Sequence, residues 1–508
     1  MKRLIAGPLA LLALAGAALG WAQGGAATPE QRTARYFESI RQQPAPQLLF
    51  LRQMPKGGDL HNHLSGSVYA ESYIEYAAKD GLCVDLATTT LSRPPCDDSQ
   101  GRPPASRAFS DGKLYGQMVD AFSIRNFQPG QGSLAEHFFA AFLKFDAAAT
   151  QTYRGDMLAE VVAGAAEDQM MYLELIAALD EGKSLKLGAK QGWDPDFETM
   201  RQRFLANGGR ELVETARQNL DRQEARMREL LRCGTPEADA GCSVTVRHIA
   251  EVHRAFPPEQ VFAEMVFGFE LAQADSRVVS VNPVMAEAAY VSRRDFDLHM
   301  RMFDFFHRLY PKVKLTLHAG ELVSGLAPPS DLRWHIRRSI ELGHAQRIGH
   351  GTAVLMEKDA AGLLREMAQK KILVEFCPTS YALLLSAPGV PHPLRAYLKH
   401  GVPVALATDD IGVARSDTTI EFVRAVQTFG LTYGELKRMV RNSLEYAFLD
   451  GESLWADADK FRRNAACAGD RPAAAAVSAG CQKLLTSSAR ARLQWELERS
   501  LAQFESQH

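Results

Sequence analysis

Pro55-Lys56-Gly57-Gly58-Asp59-Leu60-His61-Asn62-His63 ends a short strand-like run near the start of the chain. Side chains two apart on a strand share a face, so His61 and His63 aim two imidazoles at one point, half of a metal site. Three later segments place chemistry the same way: Leu317-His318-Ala319-Gly320-Glu321, Ile348-Gly349-His350-Gly351 and Thr408-Asp409-Asp410. His318 and Asp409 would complete a shell of three imidazoles and one carboxylate, leaving Glu321, His350 and Asp410 as titratable groups for acid and base work. Joining His61 to Asp409 requires the first and last strands to be neighbours.

Working outward, eight apolar runs read as strands: 58–61, 171–176, 244–252, 261–269, 314–319, 347–350, 372–377 and 402–408. Amphipathic stretches separate them, the signature of repeated β-then-α units in a parallel sheet. An open doubly wound sheet gathers its ligand at one switch point, whereas a closed (β/α)8 TIM barrel presents the carboxyl ends of all its strands at one mouth. The expected class is therefore α/β, a (β/α)8 barrel with a helical N-terminal segment, cysteine-bearing insertions and a C-terminal helical extension. The expected division is 1–22 signal peptide, 23–54 helical segment, 55–450 barrel and 451–508 extension.

The 508 residues are 46% apolar and carry a formal charge of -2, enough to bury a large core and too little to attract nucleic acid or anionic lipid. Small ligands are the expected partners. Met1-Lys2-Arg3 followed by an Ala/Leu stretch and small residues near Ala22 reads as a cleaved export signal, hence a periplasmic or secreted protein with no membrane anchor after cleavage. A homodimer is the expected assembly beyond the monomer.

Six of the seven cysteines form sequence-local couples, Cys83 with Cys96, Cys233 with Cys242, and Cys467 with Cys481. Fifteen pairings are open to six cysteines; local pairing is the expectation for an oxidising compartment. Cys377, inside an apolar run, is expected to be a buried free thiol. Residues 81–127 and 181–242 read as surface elaborations, the second with a charged helix over 209–231, and 487–504 reads as a terminal helix. Lys56 is expected to be solvated and Asp59 to be hydrogen-bonded near the barrel mouth.

The segment 55–66 and the later His318-Ala319-Gly320-Glu321, Gly349-His350-Gly351 and Thr408-Asp409-Asp410 resemble the motifs of the adenosine deaminase family, over roughly 55–450. The export signal and cysteine-bearing insertions resemble most its secreted, growth-factor-related branch. The resemblance implies one zinc ion per chain held by His61, His63, His318 and Asp409. It implies that Glu321 gives a proton to a purine ring nitrogen, that His350 orients water and shuttles its proton, and that Asp410 contacts another ring nitrogen. Gly268, in Val266-Phe267-Gly268-Phe269, would offer backbone to the purine. The implied reaction converts adenosine or 2'-deoxyadenosine to inosine or 2'-deoxyinosine and ammonia, in purine catabolism or salvage.

Departures bear on the substrate. Ser65 stands where compact members of the family carry an aspartate that touches ribose, Ile411 replaces a common proline and Tyr381 a usual asparagine. Glu174 is a candidate replacement contact, with a structural hydrogen bond as its competing use. No lysine lies within 261–271 to bridge two metals, and no Pro-Cys-x-x-Cys pair is present, which separates the chain from the cytidine-deaminase type. Two alternatives accompany this reading: a deaminase of a modified adenosine or of adenine, and a non-catalytic nucleoside-binding, growth-factor-like protein.

Overall fold

The computed structural model describes residues 27–128, 130, 132–385 and 392–508. The export signal expected over 1–22 lies outside them. Eight parallel strands follow one another in spatial order: β1 (Gly57–His63), β2 (Met170–Ala177), β3 (Thr245–His253), β4 (Val278–Val284), β5 (Lys314–Ala319), β6 (Arg347–His350), β7 (Leu373–Phe376) and β8 (Val404–Leu406). Just past β8, the His63 amide donates to the Asp409 carbonyl at 3.0 Å and the Asp409 amide to the His61 carbonyl at 2.9 Å, so the last strand end pairs with the first. The sheet closes into the expected (β/α)8 barrel.

One strand assignment is corrected. The run 261–269 lies in a 17-residue helix, Pro258–Ala274, and the strand in its place is β4. That helix is buried nearly all round, between the sheet and other helices, so no polar face marks its 3.6-residue period. Asn282 and Pro283 in turn disguise β4, because a proline within a run argues against a central strand.

Lys56 is also corrected. It is 1% exposed, and its Nζ donates to the carbonyls of Met54 at 3.2 Å and Asp168 at 2.9 Å, tying β1 to the turn before β2. Asp59 accepts from Thr408 Oγ1 at 2.5 Å and from Asn62 Nδ2 at 3.3 Å, within the closing seam.

The first and last described helices, Pro29–Ile40 and Ala489–Glu505, meet on the helix Tyr433–Glu445. Lys437 Nζ reaches Glu505 Oε1 at 2.5 Å and Glu30 Oε2 at 2.7 Å, and the Phe50 and Phe504 rings pack edge to face at 4.9 Å. All three cysteine couples are disulfides, Cys83–Cys96, Cys233–Cys242 and Cys467–Cys481, and Cys377 is free and buried. The first excursion is more than a surface elaboration. Phe122 and Ser123 are buried, and the Ile124 amide donates to the Val413 carbonyl at 2.9 Å, bracing the loop that follows Asp410. Among the described residues no helix is long and apolar enough to cross a membrane.

Candidate active site

The carboxyl ends of β1, β5 and β8 bring His61, His63, His318 and Asp409 together, one ligand atom from each within 4.8 Å of the others. His63 Nε2 lies 3.3 Å from His318 Nε2 and 3.4 Å from Asp409 Oδ1, and His61 Nε2 lies 3.5 Å from the same oxygen. The outer ring nitrogens are held elsewhere. His61 Nδ1 donates to Glu375 Oε2 and His318 Nδ1 to Asn282 Oδ1, both at 2.7 Å, while His63 Nδ1 faces Glu251 Oε1 at 3.8 Å. For His61 and His318, holding Nδ1 in this way favours the tautomer whose Nε2 presents a lone pair inward. His61 Nε2 is buried with no hydrogen-bond partner. An orphaned ring nitrogen inside a convergent N3O set fits a divalent cation.

The electrostatics agree. Burial and the neighbouring rings push His318 well below the usual imidazole range, which leaves it neutral, as a ligand must be. Burial opposes charge on His61, yet the Asp409 and Glu375 carboxylates outweigh it and draw its ring up to about 10; a cation would substitute for that proton.

Burial also opposes charge on Asp409 and Asp410. The surrounding imidazoles hold Asp409 below the ordinary carboxylate range, while burial and the Asp409 charge drive Asp410 well above it. Burial thus favours the protonated form of Asp410, and its Oδ1 is buried without a partner. Adjacent residues on a regular strand point to opposite faces. Here β8 ends at Leu406, and Asp409 takes a left-handed φ of 61°, which turns the chain before Asp410. Ser380 Oγ donates to Asp409 Oδ2 at 2.6 Å and fixes its rotamer. Gly66, in the short helix after β1, makes room: a Cβ there would lie 1.6 Å from Asp410 Oδ1.

Glu321 and His350 stand across from each other, with Oε1 and Nε2 3.8 Å apart. Burial, reinforced by the Asp409 charge, raises Glu321 to about 8, so it holds a proton at neutral pH. Burial lowers His350 to about 4, so its imidazole is neutral and free to accept one. Glu287 sets the turn that carries Glu321, accepting from the amides of Gly320 at 3.1 Å and Glu321 at 2.8 Å.

Two expected substrate contacts are corrected. Gly268 lies mid-helix, where a Cβ would meet Ala250 Cβ at 3.2 Å and Val281 at 3.3 Å; its missing side chain lets the helix approach β3 and β4, outside the barrel mouth. Glu174 is fully buried within β2, accepting from Tyr172 Oη at 2.8 Å, Arg347 Nη2 at 2.5 Å and the Phe448 amide at 2.7 Å, so both its oxygens are committed to structural bonds. Ser65 is half-buried in the short helix after β1, and its carbonyl accepts from Tyr73 Oη at 2.7 Å.

Four functional residues escaped sequence reasoning: Glu375, Asn282, Glu251 and Arg254. Glu375 and Glu251 had a signal, a carboxylate inside an apolar strand run. Arg254 had none. It is 1% exposed, its Nε donates to the Met285 carbonyl at 2.9 Å and its Nη1 to the His318 carbonyl at 3.0 Å, and its unpartnered Nη2 points at Glu321 Oε2 from 3.9 Å.

Comparison with known proteins agrees with this geometry. Residues 211–460 match the family model described as adenosine deaminase, a matched stretch that begins past the His61-x-His63 segment of this chain. An adenine deaminase of Sinorhizobium medicae is 29% identical over 357 residues, 69% of this chain and 92% of that protein. An adenosine deaminase of Enterococcus faecalis is 33% identical over 138 residues; here this chain spans 37% of that protein's length, and 27% of its own is covered. A solved amidohydrolase from Burkholderia ambifaria, with bound Zn, superposes with a TM-score of 0.52 at 19% identity, over 80% of this chain and 89% of that one. The converged barrel-mouth residues, the family-model match and the adenosine and adenine deaminase relatives together support the adenosine deaminase family for this chain.

Proposed function

We propose that this protein is a zinc-dependent deaminase that hydrolyses adenosine or 2'-deoxyadenosine to inosine or 2'-deoxyinosine and ammonia. The observation that carries the reading is the pairing of a protonated Glu321 with a neutral His350 beside the His61, His63, His318 and Asp409 set. Zinc bound by those four residues would supply an acidified water near neutral pH. Glu321 delivers its proton to the ring nitrogen next to the attacked carbon, so negative charge does not accumulate on the purine as aromaticity is lost. His350 takes a proton from the attacking water at Nε2 and returns it to the departing amino group. Asp410, protonated, donates a hydrogen bond to a second ring nitrogen through the oxygen left without a protein partner.

A second reading has its own support. The adenine deaminase of Sinorhizobium medicae aligns along nearly its whole length, whereas the Enterococcus faecalis adenosine deaminase aligns over about a third of its own. Ser65 in place of a ribose-binding carboxylate points the same way. Activity against adenosine, 2'-deoxyadenosine, adenine and an N6-methylated adenosine, with metal content measured on the same sample, separates the two. Adenosine turnover exceeding that of adenine supports the first; a zinc-loaded protein that acts on adenine alone overturns it.

Export to an oxidising compartment, in the manner of the secreted growth-factor-related branch, is part of the same proposal, and the three disulfides support it. Fractionation of the producing cells tests it; a protein retained in the cytosol with its first 22 residues intact would contradict it.

A further inference from the structure

A second group of potential ligands overlaps the first. His61, His350, Cys377 and Asp409 also bring one ligand atom each within 4.8 Å of the others, and all four are buried. Cys377 follows β7 in an extended conformation, two residues after Glu375, so its thiol projects on the same inward face as the carboxylate that holds His61 Nδ1. With Nδ1 committed to Glu375, the unpartnered Nε2 of His61 is the one nitrogen it can offer to either group. One lone pair serves one cation, so the two groups are alternative positions for a single ion, not two sites filled together.

The alternatives differ in donor chemistry. The first is three imidazole nitrogens and a carboxylate; the second exchanges His63 and His318 for His350 and a thiol. Soft, thiophilic cations follow sulfur, while zinc is satisfied by either set. We propose that Cys377, with His61, His350 and Asp409, forms a second cation position that selects thiophilic ions such as Cd2+ and takes His350 out of the reaction when filled. Binding exchanges the Cys377 S–H bond for an S–Cd bond and releases the proton to solvent. The position itself stands apart from the proposed function; the inhibition it causes rests on that reading, because filling it both engages His350 and draws His61 and Asp409 away from the first cation position.

The test uses the full chain, stripped of metal with its disulfides intact and titrated with Cd2+. One equivalent should generate the ultraviolet thiolate-to-cadmium charge-transfer band, since Cys377 is the free cysteine among the described residues. Cys377→Ser should abolish the band and still bind one equivalent of zinc, and Cys377→Ala serves if the serine variant fails to fold. In zinc-loaded enzyme the variant should need at least about tenfold more Cd2+ for half-inhibition. One bound Cd2+ without a band in the native protein, or a band that survives in the variant, overturns the proposal. A band accompanied by no purine deamination in the zinc-loaded native protein would sink the functional reading and leave the cation position standing.

Discussion

In the proposed reaction Glu321 and His350 are the pair whose protonation states matter, and burial sets both. Glu321→Gln keeps the shape and removes the transferable proton. Zinc content should be unchanged and kcat reduced by about a hundredfold or more. On the proposed mechanism the acid form is the active one, so native kcat/KM should fall as pH rises through about 8 and hold as pH is lowered from there toward neutrality. The Arg254 charge pulls Glu321 down against burial and Asp409, so Arg254→Met should move that alkaline limb to higher pH while lowering kcat; a limb left in place would remove Arg254 from the site's electrostatics. Glu375→Gln weakens the acceptor for His61 Nδ1–H, and zinc affinity measured by competition with a chelator should drop about 10–100-fold.

The barrel's strand ends supply geometry that no single residue provides. His350 and Asp409 both adopt left-handed backbone, φ 63° and 61°, at a cost of about 1–2 kcal/mol each for residues with a Cβ. The closing hydrogen bonds between β1 and the end of β8 hold Asp409 in that turn, and through it Asp410. The short helix after β1 completes the arrangement with Gly66. Gly66→Ala would force Asp410 aside, so KM should rise sharply while zinc content stays near one per chain; an unchanged KM would exclude Asp410 from substrate binding. The mistaken strand at 261–269 belongs to this scale too, because a helix buried nearly all round along that run loses the polar stripe by which helices are recognised.

Across the whole molecule, the disulfides secure elements outside the barrel. Closing a loop of 14 residues, Cys467–Cys481 constrains the unfolded chain by about 2–3 kcal/mol. Replacing both cysteines by serine should lower unfolding free energy by that amount in denaturant titrations and leave deamination at room temperature intact, since the bond sits in a separate apolar cluster around Trp455 and Trp495.

The sequence by itself determined the parallel barrel class and most of the residues gathered at the mouth, because these depend on strand patterning, spacing and residue type, all of which are local; the cysteine pairing it left open among fifteen, and the structure chose the local one. Only the tertiary structure decided the rest. Gly268 and Glu174 left the site once their neighbours were known, Arg254, Asn282, Glu251 and Glu375 entered it, and His350 became neutral while Glu321 became an acid. The reason is physical: burial and the approach of charges from distant strands arise when the sheet closes, and no stretch of sequence carries them.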